Sequence, residues 1–346
     1  MILENLKEKY GHKKILLTSS DNTGCGYHRI HSPYLFLKDS FEWCEYSSGF
    51  PAKDPRILEA DIIIIQRALH EFFLEWIPKM QSMGKKIIYD LDDTLWDIPA
   101  SNLASRHYPP KQLRRVEAVI NCVDVITSST IPLAEFLKKK FNKPTFVVSN
   151  KIWMDEMGMS REKEHNEKIK IGWAGSYTHA GDFNNNYLSR MLRELPYDKV
   201  DLYMMGWTPT WAKSFAKSIP WVKTEDFHKT FVSQNWDIGL IIAQDNMFNR
   251  CKSNLKFLEY GSIKCAPIAD SVYPYTTTMS HGVDGLLINN PKTDWVENVY
   301  TLIENESLRR TIADNAYNNV KNNWTYEGDY LNIESKYLEI FEFLGV

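Results

Sequence analysis

The chain has 346 residues, 43% hydrophobic and 25% charged, with a formal net charge of -3. This is the balance of a soluble globular protein too long for one ordinary core, so two domains are expected, and so small a charge excludes a one-sign field that would make nucleic acid or an anionic membrane an obligate partner. Five scattered cysteines with no CxxC pair exclude a disulfide framework and a zinc site of the usual spacing, and point to a reducing cytoplasm.

The opening residues, MILENLKEKYGHKK, are charged and lack the apolar centre of a secretory signal. No apolar run reaches the length of a membrane span. The first half then alternates short β-branched runs with helical patterns. Residues 13–20, 60–68, 85–93, 123–129 and 145–150 read as strands whose continuous apolar character suits a parallel sheet covered on both faces. Residues 70–84 and 131–142 have helical periodicity and close on Gly or Asn. This is a βαβ pattern.

After the first strand comes TSSDNTGCGYHRIHSPYLFL, residues 18–37. Gly24 and Gly26 permit unusual backbone angles or close approach of a ligand, and Tyr27, His28, Arg29 and His31 crowd the segment ahead of an apolar helix. Further on, IIYDLDDTLWD (87–97) runs an apolar strand into Asp90, Asp92 and Asp93. Three carboxylates within four residues repel one another unless solvated or employed. Strand alternation puts Asp90 and Asp92 on one side and Asp93 on the other. The motif also fits hhhDxDxT, the nucleophile strand of haloacid-dehalogenase-type Mg-dependent phosphatases, with Asp90 as nucleophile and Asp92 as acid–base. A metal-binding DxD and a simple turn cap are further readings.

Residues 154–168, MDEMGMSREKEHNEK, read as a linker. The pattern restarts with strands at 169–176, 200–207, 236–243, 266–271 and 285–290. Two doubly wound α/β domains with their strand ends toward a shared cleft are the expected architecture. The loop WAGSYTHAGD carries Gly175, Ser176, His179 and Gly181 after a strand, a setting in which backbone amides approach phosphate. In NRCKSNLKFLEYGSIKCAPIADS (249–271), Ser253 is the candidate N-cap of a helix. Lys256 and Glu259 share a helix face, with Lys252 just ahead of the first turn. A cation, helix-start amides and a distal carboxylate suit a nucleotide diphosphate, the amides and lysine meeting phosphates and the carboxylate the ribose.

Glu259 with APIADS, Gly282 with GLLI, then Trp295, LIENESLRR and Ala316 resemble, as a string, the C-terminal domain of family-four-type glycosyltransferases, including phage and bacterial relatives. The resemblance implies a GT-B fold, two Rossmann-like doubly wound domains facing a central cleft. Residues 1–153 would form the acceptor domain, with helix 327–346 packing back on it, and 169–326 the donor domain. It implies sugar transfer from a UDP- or GDP-linked donor to an acceptor hydroxyl with retention, and no metal. The acceptor would be a glycan, a lipid-linked sugar, a small molecule or, as in phage enzymes, a hydroxymethylated DNA base met by basic strips such as 111–115 or 138–143. A cytoplasmic location is implied, at a membrane surface or in a phage-infected host included.

Carried residue by residue, the resemblance puts Gly175, Ser176, His179, Arg250, Lys252, Ser253, Asn254, Lys256 and Glu259 at the donor. Gly24, Gly26, Tyr27, Arg29 and Trp96 go to the acceptor, and Asp92 and Asp93 to orientation of the reacting hydroxyl. Two positions depart from the family pattern. Cys251 stands where a first Glu is common, and the loop after residue 174 lacks the usual Arg–Lys pair, so Lys252, Lys256 and Arg250 would supply the cations.

Overall fold

The computed structural model describes residues 3–49, 55–183 and 186–346. It holds two six-stranded parallel sheets. The first comprises β1 (Lys14–Ser19), β2 (Trp43–Ser48), β3 (Ile62–Gln66), β4 (Lys86–Leu91), β5 (Val125–Ser128) and β6 (Thr145–Val147), in the order β2-β1-β3-β4-β5-β6. The second comprises β7 (Ile169–Gly175), β8 (Val200–Gly206), β9 (Lys217–Pro220), β10 (Ile238–Ile241), β11 (Ala266–Asp270) and β12 (Leu286–Ile288), in the order β12-β11-β10-β7-β8-β9.

Every long apolar run in the sequence became a strand, because a parallel strand buried on both faces must be apolar on both. Two strands were not expected. Both β2 and β9 are sheet edges, where only part of each strand is covered and the sequence (WCEYSS, KSIP) loses its apolar run. The helices Phe73–Ser82 and Ile131–Phe141 end as their sequences indicate, at Gly84 with φ +80° and at Asn142 in the left-handed region.

Strand alternation divides the first sheet between two cores. Leu16, Ile63, Ile65, Ile87 and Tyr89 face the helices Phe73–Ser82, Pro110–Cys122 and Ile131–Phe141. Ile15, Leu17, Ile62, Ile64 and Ile88 face the other way, against Leu6 and Tyr10 near the start of the chain and Ile333, Tyr337 and Phe341 near its end. The helix Tyr330–Leu344 therefore packs into the core of the first sheet although it follows the second. The segments that join the two sheets lie side by side: Ile152 N–H donates to Trp324 O at 3.1 Å and Tyr326 N–H to Ile152 O at 3.1 Å.

The second sheet also carries a core on each face, one around Trp173, Met204 and Leu240, the other around Trp236, Phe257 and Tyr260. In each sheet the strand order reverses once, between β1 and β3 and between β7 and β10. Such a reversal opens a crevice at the carboxyl ends of the strands, where these sheets hold ligands.

Candidate active site

The crevice of the second sheet is built from the loop after β7, the end of β8 and the helix Leu255–Ser262. Gly175 closes β7. A Cβ there would lie 2.7 Å from the Trp173 ring, and one on Gly206, whose φ is +92°, would lie 2.5 Å from the Gly175 carbonyl. Two strand ends thus approach as backbone only, leaving a cavity of about 190 Å³ lined by Gly175, Ser176, Gly206, Trp221, Lys256 and Glu259.

Lys256 and Glu259 face this cavity together. Lys256 Nζ donates to the Ala174 carbonyl and lies 5.3 Å from the centre of the Trp173 ring. Burial lowers the Lys256 ammonium from its usual range, and Glu259 opposes that. Burial pushes the Glu259 carboxyl up to about 7, with Lys256 pulling the other way. Ser176 caps the short turn Tyr177–His179 by accepting from Thr178 N–H. His179 Nδ1 lies 2.9 Å from Asp182, which also accepts from Asn249 Nδ2 at 2.8 Å. Burial, with Lys256 and Lys252 nearby, holds the imidazole near 4 against the Asp182 bond, so it is neutral at pH 7.

On the facing sheet the end of β4 is a cluster of ion pairs. Asp90 is 3% exposed. It takes Arg29 in a fork, Nε–Oδ1 3.0 Å and Nη2–Oδ2 2.6 Å, and accepts from Thr127 Oγ1 at 2.7 Å. Arg29 Nη1 donates to the Val148 carbonyl at 2.6 Å and to Asn150 Oδ1 at 2.8 Å. This buried pair is scaffold. Arg29, expected at the acceptor, is 4% exposed with its donors committed, and Asp90 has no freedom to act as a phosphatase nucleophile.

β4 ends at Leu91, so alternation no longer separates Asp92 from Asp93, and one residue touches both. Arg67, just past β3, binds Asp92 directly and lies 3.8 Å from Asp93. Its φ of +48° is unusual for a side chain of this size. Burial pushes the Asp92 carboxyl up, but Arg67, a Cys25 hydrogen bond and Arg29 together hold it at about 2. Sequence reasoning missed Arg67. Its signal, a cation at the end of a buried strand beside the sheet reversal, was present but had no motif. Next to it a cavity of about 460 Å³ opens among Ser19, Asp21, Gln66, Arg67, His70 and Tyr108.

The two sides meet at Lys252, whose Nζ lies 3.3 Å from Asp93 and 4.3 Å from the centre of the Phe248 ring. Burial lowers the Lys252 ammonium, but Asp93, Cys25 and Asp92 raise it further, keeping it charged. Further bonds cross here: Asn150 Nδ2 to Ser253 Oγ at 3.1 Å, and Thr130 Oγ1 to the Cys251 carbonyl at 2.8 Å.

Several expected site residues stand elsewhere. The N-cap of the helix is Asn254, not Ser253. Asn254 Nδ2 donates to Thr278 Oγ1 at 3.2 Å. Arg250 is exposed and forked onto Asp245 at 2.6 and 2.8 Å, which answers its charge locally. Trp96 donates to Glu117 at 2.8 Å and packs on Phe136 and Phe141, so its contacts are to flanking helices. Gly26 fills a tight turn, where a Cβ would lie 2.1 Å from the Asp21 carbonyl, while a Cβ on Gly24 would meet nothing. Both belong to a continuous helical run, 24–37, with a π-helical turn at Tyr27–His31. Tyr27 hydroxyl donates to Glu156, and its ring meets His228 at 5.2 Å, which spans from the first sheet's elements to the second's.

No family model and no curated protein matches the sequence. Solved structures do match. The chain is similar to HepE of Anabaena, solved in complex with UDP and glucose, at 13% identity and TM-score 0.61 over 96% of this chain and 100% of that one. It is similar to sucrose-phosphate synthase of Thermosynechococcus elongatus at 10% identity and TM-score 0.66, over 96% and 100%. A glycosyltransferase from Rickettsia africae aligns at 12% identity and TM-score 0.64, over 97% and 99%. The chain has the GT-B fold. Within the GT-B frame the β7–β10 crevice with Lys256 and Glu259 faces the β1–β3 crevice with Arg67, and Lys252 and Asp93 join the two. Among the described residues, no helix is long and apolar enough to cross a membrane.

Proposed function

We propose that the protein is a glycosyltransferase that moves a sugar from a UDP- or GDP-linked donor to an acceptor hydroxyl. The observation that carries this reading is the juxtaposition of Lys256 and Glu259 in the 190 Å³ cavity beside Gly175 and Ser176, with Lys252, four residues before Lys256, ion-paired to Asp93 of the first sheet. Glu259 accepts from the ribose hydroxyls, and Gly175 and Gly206 admit the nucleotide against bare backbone. Lys252, Lys256 and the start of the helix Leu255–Ser262 meet the diphosphate and stabilise the charge that grows on it as the sugar leaves. Two lysines and the helix start answer the donor's charge, so transfer proceeds without a metal and survives chelation.

Asp93, at 22% side-chain exposure, is freer than Asp92 at 12% and is the carboxylate that orients the acceptor hydroxyl. Retention at the anomeric carbon is proposed on the family resemblance alone. The acceptor enters the 460 Å³ cavity beside Arg67 and Tyr108.

Thermal-shift screening against UDP- and GDP-sugars, followed by product analysis, tests the reading. One nucleotide sugar should stabilise the protein, and Lys252→Ala and Glu259→Ala should each weaken its binding by about 10- to 100-fold. Unchanged affinity in both variants would remove the site. A DNA acceptor would announce itself as salt-dependent DNA binding. The strips named for it are partly committed: Arg115 pairs with Glu71 at 2.9 Å, Lys140 with Glu117 at 2.8 Å, and Lys143 donates to Val123 O at 2.6 Å.

A further inference from the structure

Asp93 has two cationic neighbours. Lys252 reaches it from the donor side at 3.3 Å and Arg67 from its own sheet at 3.8 Å, while Arg67 also holds Asp92. Three carboxylates stand at the end of β4; Arg29 pairs directly with Asp90 and reaches Asp92 only through space. Remove Arg67, and Asp92 would lose its direct partner and draw on Lys252, which already pairs with Asp93. Lys252 is also the cation assigned to the donor diphosphate, so the two demands would compete.

Arg67 is built to prevent this. One nitrogen, Nη2, binds Asp92 and lies 3.8 Å from Asp93, and a guanidinium does not lose its proton. Its backbone is held at φ +48°, a conformation that costs free energy and persists where surroundings fix it. Its Nε is buried and finds no partner among the described residues, so the side chain sits where the carboxylates need it at the expense of its own hydrogen bonding.

We propose that Arg67 is a positioning residue that neutralises Asp92, so that Lys252 has Asp93 alone to leave when it turns to the donor diphosphate. The inference rests on the donor reading above and adds a residue on the opposite sheet that acts on the donor only through Asp92 and Lys252.

The test is calorimetric binding of UDP, with GDP as second probe, at low salt near pH 8 and near pH 5. The charged or titratable groups facing Arg67 and Lys252 are Cys25, Tyr89, Asp92, Asp93, Tyr108, His179 and Lys256, with Arg29 acting on Asp92 and Glu259, on the second sheet's helix, acting on Lys256. Glu259 and the UDP phosphate titrate within this range in every variant, so the ratio of variant to wild-type affinity is the quantity read.

Arg67→Gln should bind UDP about tenfold more weakly than wild type near pH 8. It should recover toward wild type near pH 5, where an Asp92 no longer held down by Arg67 takes up a proton and releases Lys252. Arg67→Lys should stay within about threefold at both pH values. The double variant Arg67→Gln/Asp92→Asn should regain affinity near pH 8, and it serves if the single variant folds poorly. Wild-type affinity in Arg67→Gln near pH 8 overturns the proposal. So does an equal loss at both pH values, or a double variant no better than the single, since these are what a merely structural role produces. A wild-type protein that takes neither UDP nor GDP overturns the donor reading itself, and this inference with it.

Discussion

Glu259 is 9% exposed in the middle of the helix Leu255–Ser262, with its carboxyl raised to about 7. A carboxyl whose folded value lies above its ordinary 4.5 is protonated in the folded chain while already ionised in the unfolded one. Its contribution is therefore fully present below about pH 4.5 and is lost as pH rises through 7, a loss of about 3 kcal/mol. On the proposed reading nucleotide binding runs the opposite way, because ribose hydroxyls would donate to the ionised form. UDP-glucose affinity should rise between about pH 6 and 8, while Glu259→Gln should show a flat, weaker profile. The same variant should melt at higher temperature than wild type near pH 8 and lose that advantage near pH 4. Calorimetry and thermal unfolding across pH read both effects, and a pH-independent wild-type affinity would refute the ribose role. Such residue-level chemistry was partly legible in sequence. The spacing of Lys256 and Glu259 is local, so one helix turn displays it. The partners of Asp90 and Asp92 lie 61 and 25 positions away, at Arg29 and Arg67, and nothing in the string IIYDLDDTLWD reveals which cation reaches which carboxylate.

At the scale of elements, the same distinction holds. Strands β1, β3, β4, β7 and β10 announce themselves because burial on both faces forces an apolar run, whereas β2 and β9 lie at edges and keep polar side chains. Ser253 was read as an N-cap because serine suits the role chemically, yet Asn254 occupies it and Ser253 turns to Asn150. The helix Glu4–Tyr10 shows a cap that sequence cannot display at all. Its N-cap residue, Leu3, makes no side-chain bond, and the first turn is served by Glu334 from the helix Tyr330–Leu344. Glu334 is 2% exposed and accepts from Leu6 N–H at 3.0 Å and Asn5 Nδ2 at 2.9 Å. A buried carboxylate on the amino end of a helix meets both unsatisfied amides and the positive end of the dipole. Glu334→Ala should leave those donors unpaired and cost about 1–3 kcal/mol in urea unfolding. It should leave UDP affinity unchanged, since the helix pair lies on the far face of the first sheet from β4's flanking helices. A large loss of UDP binding would show instead that this cap controls the relative placement of the two sheets.

Across the whole molecule a seam of polar contacts joins the two sheets. Its contacts include Lys252 with Asp93, Thr130 with Cys251, Asn150 with Ser253 and Tyr27 with Glu156. A seam of this kind exchanges partners readily, because each hydrogen bond broken is replaced by one to ligand or water. Lys252 is the member with most to exchange. In the arrangement seen, its ammonium is paired with Asp93, and a diphosphate offers it a stronger partner with two negative groups. Binding must first separate Lys252 from Asp93, so the cross-seam pair opposes the donor by whatever that pair is worth. For a pair at 27% and 22% side-chain exposure, that is about 1 kcal/mol after screening by solvent. Asp93→Asn should therefore bind UDP about fivefold more tightly than wild type, an advantage that shrinks as salt is raised. Transfer to the acceptor should fall at the same time, because the carboxylate proposed to orient the hydroxyl is gone, and a variant that holds its nucleotide better while turning over more slowly would separate the two duties of one side chain. Weaker UDP binding in Asp93→Asn would mean that the carboxylate positions Lys252 for the donor instead of competing for it.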